Sequence, residues 1–142
     1  MNAARPTSPA GRELLAGKVV LVTAAAGTGI GNATARRCLE EGATVVLSDA
    51  HERRLGEAAD ELTTLAGGTR PLAVPCDVTV EDQVQAMVDA TIAAHGRLDV
   101  LVNNAGLGGT AELVDMTDEQ WHKVLDITLT GTMRCTRAAL RP

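Results

Sequence analysis

Apolar residues follow two different spacings along this chain, and the two spacings alternate. Short apolar runs at residues 19–23, 43–48, 72–76 and 99–102 have the length and the valine and leucine content of buried strands. After each run, apolar residues recur three or four positions apart, which is typical of a helix with one buried face. Four strand–helix units in succession predict an α/β fold with a parallel sheet, because right-handed crossovers place successive strands side by side.

The same pattern predicts the faces and the ends of individual helices. Thr79, followed three residues later by Asp82, is the expected N-cap of the third helix. Thr117 and Gln120 are spaced as a capping box at the start of the last helix. The side chains expected to face the core from the first helix, which extends to about residue 41, are Ile30, Ala33, Thr34 and Cys38. The broad apolar stripe of the last helix comprises Trp121, Val124, Leu125, Thr128, Leu129, Thr132 and Met133.

Length and charge restrict the kinds of protein and partner. The 142 residues are enough for one domain, which we expect over residues 15–142 after a flexible arm at residues 1–14. A net charge of −5 without any basic run argues against nucleic acid and anionic membranes as partners. No apolar stretch approaches the ~20 residues of a membrane span, and the arm lacks the apolar region of a secretory signal. These features favour a cytoplasmic protein.

The cysteines add no chemistry of their own. Cys38, Cys76 and Cys135 are odd in number and widely spaced, without a metal-ligand or CxxC pattern. We therefore expect reduced thiols that pack as small apolar side chains, and no metal site.

The turn after the first strand is the strongest functional signal. Glycines at positions 27, 29 and 31 lie between an apolar strand and a helix start, where backbone N–H groups and the helix dipole attract a phosphate. Asp49 ends the second strand, where dinucleotide-binding folds place an acid that hydrogen-bonds the adenosine ribose. Separately, glycines also serve plain tight turns and Asp49 could cap a helix. In this order they predict a Rossmann-type, doubly wound domain that binds a dinucleotide.

The choice between NAD and NADP depends on charges that follow the second strand. The carboxylate of Asp49 repels a 2′-phosphate and favours NAD. Arg53 and Arg54 lie just beyond and could reach such a phosphate, although Glu52 and Glu57 beside them also fit a solvated helix face. We therefore expect NAD, with NADP as the alternative.

Two further segments follow strands at the edge where open α/β sheets bind ligands. Asp77 and the backbone of Val78 can accept from and donate to the edge of an adenine, or Asp77 can simply form a turn before the third helix. The Asn-Asn-Ala-Gly stretch at residues 103–106 can tie strand ends together, and Gly106 lets the backbone pass close to a ribose. Taken by itself, this stretch is only a turn.

Together these motifs resemble the short-chain dehydrogenase/reductase family, and the resemblance covers nearly the whole chain. The matching stretches are residues 19–31, Asp49, residues 76–78, residues 101–106, Trp121 and residues 129–131. The resemblance implies that the glycine turn lines the pyrophosphate, that Asp49 holds the ribose and that residues 77–78 meet the adenine. The residues that it places at the cofactor are Thr23, Gly27, Gly29, Ile30, Gly31, Asp49, Asp77, Val78, Asn104, Ala105 and Gly106.

The chain departs from the usual family pattern at two places. Ala24 follows Thr23 where the family has glycine, and six steps rather than five separate Thr23 from Gly29. This longer turn resembles a subset of actinobacterial members, some of which act on steroid-derived acyl-CoA substrates. Thr128 stands where the family has an asparagine that helps to hold a proton-relay water.

A third departure concerns catalysis. In the family, a serine and a Tyr-x-x-x-Lys motif lie on a fifth strand and helix that would follow residue 142, and this chain contains no tyrosine. Hydride transfer to a carbonyl needs a proton donor beside the forming alkoxide. The resemblance therefore implies the cofactor-binding half of an NAD(P)-dependent oxidoreductase of secondary alcohols or ketones. We expect a sheet truncated after about four βα units, with no catalytic residue and no activity by itself.

Partners and alternatives follow from the same reasoning. In its complete form, such a protein would act on a small-molecule substrate and form a homo-oligomer, as family members commonly do. Two other interpretations stay open: a non-catalytic nucleotide-binding or oligomerisation module that is complete as it stands, and a translated remnant that folds poorly because its fourth strand is an apolar sheet edge.

Overall fold

A computed structural model describes residues 9–108 and 111–141 of the chain. Residues 1–8 of the expected arm, residues 109 and 110 of the glycine-rich loop, and Pro142 lie outside the described residues. Four parallel strands form one sheet: β1 (Val19–Val22), β2 (Thr44–Asp49), β3 (Leu72–Pro75) and β4 (Val100–Val102). Their order is β3-β2-β1-β4, so the chain reverses its direction of travel across the sheet after β3. The predicted α/β, doubly wound fold is confirmed.

Helices cover both faces of this sheet. The helices are α1 (Ile30–Glu40), α2 (Glu52–Leu62), α3 (Glu81–His95), α4 (Asp118–Leu125) and α5 (Gly131–Ala139), with a 3₁₀ turn at Leu113–Asp115 and a π turn at Asp126–Thr130. One apolar cluster joins α1 and α2 to one face of β1 and β2. A second cluster joins α3 and α5 to the opposite face. Alternate residues of each strand supply the two clusters, as the pleat of a strand requires.

The buried face of α1 differs from the predicted one, although Cys38 does pack, partly buried, against the core. Ile30 is 79% exposed, and the residues of α1 that the structure buries are Gly31, Asn32, Ala35 and Leu39. The physical reason is the close approach of the helix to the turn before it, because a Cβ at Gly31 would collide with the carbonyl oxygen of Ala24. A small residue therefore faces the sheet, and Ile30 is turned to the outside.

The predicted N-cap of α3 is also wrong. Val80 occupies that position and makes no side-chain cap. The hydroxyl and N–H of Thr79 instead donate to Oδ1 of Asp77, at 2.7 and 2.9 Å. An Asx turn at Asp77 has taken the hydroxyl that a cap would need.

The last helical segment begins at the predicted capping box and contains a π turn that the apolar spacing does not predict. Thr117 and Gln120 form the expected capping box. Three members of the apolar stripe, Trp121, Leu129 and Met133, are exposed, and the buried residues of α5 are Gly131, Cys135 and Ala138. The π turn between α4 and α5 interrupts the 3.6-residue period, so a single period cannot describe both helices.

The loose arm over residues 1–14 stays a prediction, although its described part is attached to the end of α1. Backbone N–H groups of Arg12 and Leu14 donate to Oε2 of Glu41, at 2.8 and 3.2 Å. Arg37 donates to the carbonyl oxygen of Pro9 at 2.6 Å and also pairs with Glu41. Across residues 9–108 and 111–141, no helix is both long enough and apolar enough to cross a membrane.

Candidate functional site

The glycine turn between β1 and α1 leaves a helix N-terminus open. Gly29 is the N-cap of α1 and provides no side-chain cap, and the first turn of the helix carries no acidic residue. A Cβ at Gly29 or at Gly27 would meet no atom within 4 Å, so the space in front of the turn is free. The first N–H groups of a helix have no partner within the helix and attract anions. The turn can therefore receive a phosphate group.

Gly31 and Asn104 have a structural part in this turn. The Asn104 side-chain amide donates to the carbonyl oxygens of Thr23 and Ala24, both at 3.1 Å. A Cβ at Gly31 would lie 2.6 Å from that amide nitrogen. Gly31 thus makes room for the amide that fastens the turn to the end of β4.

Thr23 completes the same junction. Its hydroxyl donates to the carbonyl oxygen of Val102 at 3.2 Å and accepts from the N–H groups of Asn104 and Ala105, at 2.9 and 3.0 Å. The side chain is buried. Thr23 and Asn104 therefore hold the ends of β1 and β4 in one arrangement, which positions the turn and the Ala105–Gly106 backbone together.

Asp49 lies between the end of β2 and the glycine turn. Its Oδ2 accepts from the N–H of Ala26 at 3.1 Å, and its Oδ1 accepts from the N–H of His51 at 2.9 Å. Ala26 lies in the turn between β1 and α1. The carboxylate thus supports the longer turn while facing the cleft described next.

Five of the predicted cofactor residues line one cleft of about 340 Å³ at the carboxyl ends of the strands: Asp49, Asp77, Val78, Ala105 and Gly106. Gly27 lines a neighbouring cleft of about 190 Å³, together with Thr28, Arg54, Glu57, Ala58 and Glu61. Thr23, Gly29, Ile30, Gly31 and Asn104 line neither cleft. The side chain of Asn103 points elsewhere and donates to the hydroxyl of Thr136 at 3.1 Å.

The carboxylate of Asp77 is held by its own loop. Oδ1 accepts both hydrogen bonds from Thr79, and Oδ2 takes part in neither of them. The N–H of Asp77 donates to the side-chain oxygen of Gln83 at 2.8 Å. Asp77 thus forms the turn before α3, which was one of its two predicted roles, and it also lines the cleft.

Cys76 is one of the residues that line the cleft, and it is not set up as a nucleophile. Burial, together with the nearby Cys135 and the charge of Asp77, raises the pKa of the Cys76 thiol to about 12. A thiol is nucleophilic as the thiolate, so this residue stays an inert apolar group. Among residues 9–108 and 111–141, no group of three or more His, Cys, Asp or Glu side chains could hold a metal ion.

A larger cavity of about 490 Å³ lies at the opposite end of the sheet. It is lined by residues at the starts of β2 and β3 and by the ends of α1 and α3, including His95. None of the predicted site residues reaches it. Open α/β sheets bind ligands at the carboxyl ends of their strands and not at the amino ends. The smaller cleft that contains the predicted residues is therefore the better candidate site, although this cavity is larger.

Three residues at the site have roles that the sequence did not predict. Ala26 donates to Asp49, Thr128 accepts from the N–H of Leu107 at 3.1 Å, and Arg134 contacts the loop that carries Val78. Thr128 stands out in the sequence only as a departure from the family pattern. Nothing in the spacing of Ala26 or Arg134 marks either residue, because each acts through a contact with a distant segment.

The family comparison agrees with this geometry. A sequence model described as short chain dehydrogenase matches residues 18–142. The chain therefore belongs to the short-chain dehydrogenase/reductase family, whose members are oxidoreductases with an NAD(P)-binding fold. A Mycobacterium tuberculosis relative named (5R,7aS)-5-hydroxy-7a-methyl-1-oxo-2,3,5,6,7,7a-hexahydro-1H-indene-carboxyl-CoA reductase is 64% identical over 136 residues, which are 96% of this chain and 52% of the relative.

Solved structures show the same fold. A short chain dehydrogenase from Mycobacterium smegmatis matches with a TM-score of 0.91 and 63% identity, over 96% of this chain and 56% of that one. A 3-ketoacyl-(acyl-carrier-protein) reductase from Brucella melitensis complexed with NADH matches with a TM-score of 0.80 and 32% identity, over 88% and 49%. An actinorhodin polyketide ketoreductase variant with NADPH matches with a TM-score of 0.81 and 34% identity, over 92% and 48%. The chain spans about half the length of the curated relatives it matches.

Proposed function

We propose that this chain binds a nicotinamide dinucleotide across the carboxyl ends of its strands. The observation that carries the proposal is a combination of two features. The N-terminus of α1 is uncapped at Gly29, and a cleft at the carboxyl ends of the strands contains Asp49, Asp77 and Val78. The helix terminus suits the pyrophosphate, Asp49 suits ribose hydroxyls, and the Asp77–Val78 segment suits the amino edge of adenine. The bound group would supply the hydride chemistry, and the residues of this chain would hold and orient it.

Charge at the site favours NAD over NADP in this proposal. Asp49 places a carboxylate in the cleft, where it would repel a 2′-phosphate. Arg53 is paired with Glu57 at 2.6 Å. Arg54 shares its cleft with Glu57 and Glu61, whose charges oppose an added phosphate. NADP stays the alternative.

The proposed activity of the complete protein is oxidation of a secondary alcohol or reduction of a ketone. The chain contains no tyrosine, so the family's proton donor is absent from these 142 residues. We therefore propose that the chain binds the dinucleotide without turnover. The Mycobacterium tuberculosis relative and the longer glycine turn support a carbocyclic acyl-CoA ketone as the substrate class, and we propose a homo-oligomer for the complete protein.

Substitution at the open turn tests the binding proposal. Gly29→Val places a branched side chain in the free space before α1, and we expect NADH affinity to fall by about ten- to a hundredfold, since hydrogen bonds to a charged phosphate contribute about 1.5–3 kcal/mol. Gly56→Val in α2 is the matched control, because a Cβ there only touches the flexible end of Arg70 at 3.7 Å. Calorimetric titration of both variants provides the comparison. Equal NADH affinity in wild type and Gly29→Val would contradict phosphate binding at this turn.

A further inference from the structure

The loop that carries Asp77 and Val78 is pressed against α5. A Cβ at Gly131, the first residue of α5, would lie 2.7 Å from Cγ2 and 3.1 Å from Cβ of Val78. Such distances are shorter than side chains tolerate, so only glycine lets the helix approach this closely. Val78 is buried in the cluster that joins α3 and α5 to the sheet. The side chain of Val78 is therefore set by the position of α5.

Arg134 of α5 contacts the same residue from the backbone side. Its Nη1 lies 3.4 Å from the carbonyl oxygen of Val78, a long hydrogen bond, and 2.8 Å from Oδ1 of Asp126. Its Nε lies 3.9 Å from Oε2 of Glu81. Two carboxylates thus hold the guanidinium in place beside the Val78 carbonyl, and the arginine side chain is only 18% exposed.

The π turn makes this arrangement possible. Asp126 begins the π turn, and its carbonyl oxygen accepts from the N–H of Gly131. Long side chains on a helix lean toward its N-terminus, so Arg134 reaches back along the helix to Asp126. One irregular turn therefore brings both Gly131 and Arg134 against Val78. π turns often occur at functional sites.

The two peptide groups that flank Val78 differ in their hydrogen bonding. Arg134 binds the carbonyl oxygen of Val78, and within the described part of the chain no acceptor pairs with the Val78 N–H. The carboxylate of Asp77 lies next to that N–H in the chain and lines the same cleft. A donor and an acceptor side by side match the N1 acceptor and the amino group of adenine.

We propose that Gly131 and Arg134 are positioning residues: they hold the side chain and the carbonyl oxygen of Val78, which orients the preceding peptide group that carries the Val78 N–H, and they thereby select adenine over other bases. This inference rests on the proposed dinucleotide function. It explains a preference for adenine without any direct contact between α5 and the ligand. Hypoxanthine is the discriminating base, because its N1 carries a proton and its 6-position carries an oxygen. The proton on N1 would face the N–H donor of Val78, and the oxygen at the 6-position would face the carboxylate of Asp77, so both contacts would be repulsive.

The test compares NADH with its hypoxanthine analogue, reduced nicotinamide hypoxanthine dinucleotide, by calorimetric titration of the 142-residue chain. We expect wild type to prefer NADH by about tenfold, and Arg134→Met to narrow this ratio to about threefold or less, consistent with one mispaired hydrogen bond. Arg137→Met is the matched control. Arg137 pairs with the same Glu81 at 2.7 Å, is more exposed, and makes no contact with Val78 that the structure records. A general loss of stability would weaken both ligands alike and leave the ratio unchanged.

Gly131→Ala is the second variant and keeps the inference testable if Arg134→Met folds poorly. Alanine favours a helix over glycine, so the variant should remain folded while its methyl group displaces Val78. The same narrowing of the ratio is expected. A tenfold ratio retained in Arg134→Met or Gly131→Ala would overturn the positioning role, and so would a wild type that binds the two dinucleotides equally. A wild type that binds neither overturns the proposed function itself, and with it this inference.

Discussion

At the scale of single residues, Asp49 illustrates how one side chain can support a turn and still face a ligand. Its two oxygens accept from the N–H groups of Ala26 and His51, at 3.1 and 2.9 Å. An ionised carboxylate has about four lone-pair sites, so ribose hydroxyls can bind without breaking either bond. The charge of Asp49 and its acceptor function can therefore be separated by substitution.

We predict that Asp49→Asn and Asp49→Ala differ in stability but agree in cofactor preference. Both remove the charge that opposes a 2′-phosphate, so the preference for NADH over NADPH should narrow by about tenfold, in line with about 1.5–3 kcal/mol for a charged hydrogen bond. Asparagine keeps an acceptor for the N–H of Ala26 or of His51 but not for both, whereas alanine keeps neither, so alanine should lower the urea midpoint more than asparagine does. Titrations with both cofactors and urea unfolding measure the two effects. An unchanged preference would remove Asp49 from the ribose.

A second residue-scale prediction concerns Ala24, which has a φ of 50° and so occupies the left-handed region. That conformation costs a non-glycine residue about 1–2 kcal/mol. Glycine avoids this cost in the folded state but has more conformational entropy in the unfolded state, which offsets part of the gain in stability. Ala24→Gly should therefore raise the free energy of unfolding by about 0.5–1 kcal/mol. Ala25→Gly, at a buried neighbour without positive φ, should lower it. Destabilisation by Ala24→Gly would show that the turn is not strained.

At the scale of elements, the strands were more predictable than the helix faces. Each strand end lies within one residue of its predicted position, because a buried parallel strand is a continuous apolar run that needs no partner to be recognised. The face of α1 was mispredicted because its register depends on a close approach at Gly31. That error arises from a contact between separate segments of the chain. The π turn before α5 was not predicted either, because it leaves no periodic signal in the sequence.

The attachment of the N-terminal segment to α1 gives a pH prediction. The N–H of Arg12, with Leu14 and Arg37, holds the pKa of Glu41 below its usual value, against the effect of burial, which raises it. Because the folded pKa is lower than the unfolded value of about 4.3, ionised Glu41 stabilises the fold above that pH. This contribution is lost as the pH falls through the folded pKa.

We therefore expect Glu41→Gln to lower the urea midpoint at neutral pH, and the difference from wild type to shrink below about pH 4. Glu40→Gln is the control, since Glu40 pairs with the same Arg37 but accepts no N–H from the N-terminal segment. Urea unfolding followed by circular dichroism at both pH values measures the effect. A difference that grows as the pH falls would contradict a lowered pKa for Glu41.

At the scale of the whole molecule, the sequence predicts which residues meet at the site better than it predicts what each residue does there. Asp49, Asp77, Val78, Ala105 and Gly106 meet in one cleft because the carboxyl ends of parallel strands share one edge of the sheet, which their order in the sequence already implies. The structural work of Thr23 and Asn104 was not predictable, since both act through bonds between β1 and β4. Motif membership alone does not distinguish residues that face a ligand from residues that hold them.

The exposed apolar residues from α4 to α5 predict self-association. Trp121, Leu129 and Met133 are exposed, and such patches tend to be covered in solution. Leu129→Lys combined with Met133→Lys should lower the weight-average mass in sedimentation equilibrium toward that of the monomer. Leu14→Lys, at an exposed apolar residue far along the chain, is the control and should leave the mass unchanged. A wild type that is monomeric at all concentrations would contradict this expectation.

The most direct test of the central claim is calorimetric titration of the 142-residue wild type with NADH, with a dehydrogenase assay on the same sample. Saturable binding at one site per chain, with no turnover of secondary alcohols or ketones, is the predicted result. It would establish that this chain forms a working nucleotide site without a tyrosine. Absence of NADH binding by a folded chain would contradict the nucleotide site, and turnover above background would contradict the assignment of proton transfer to residues outside this chain.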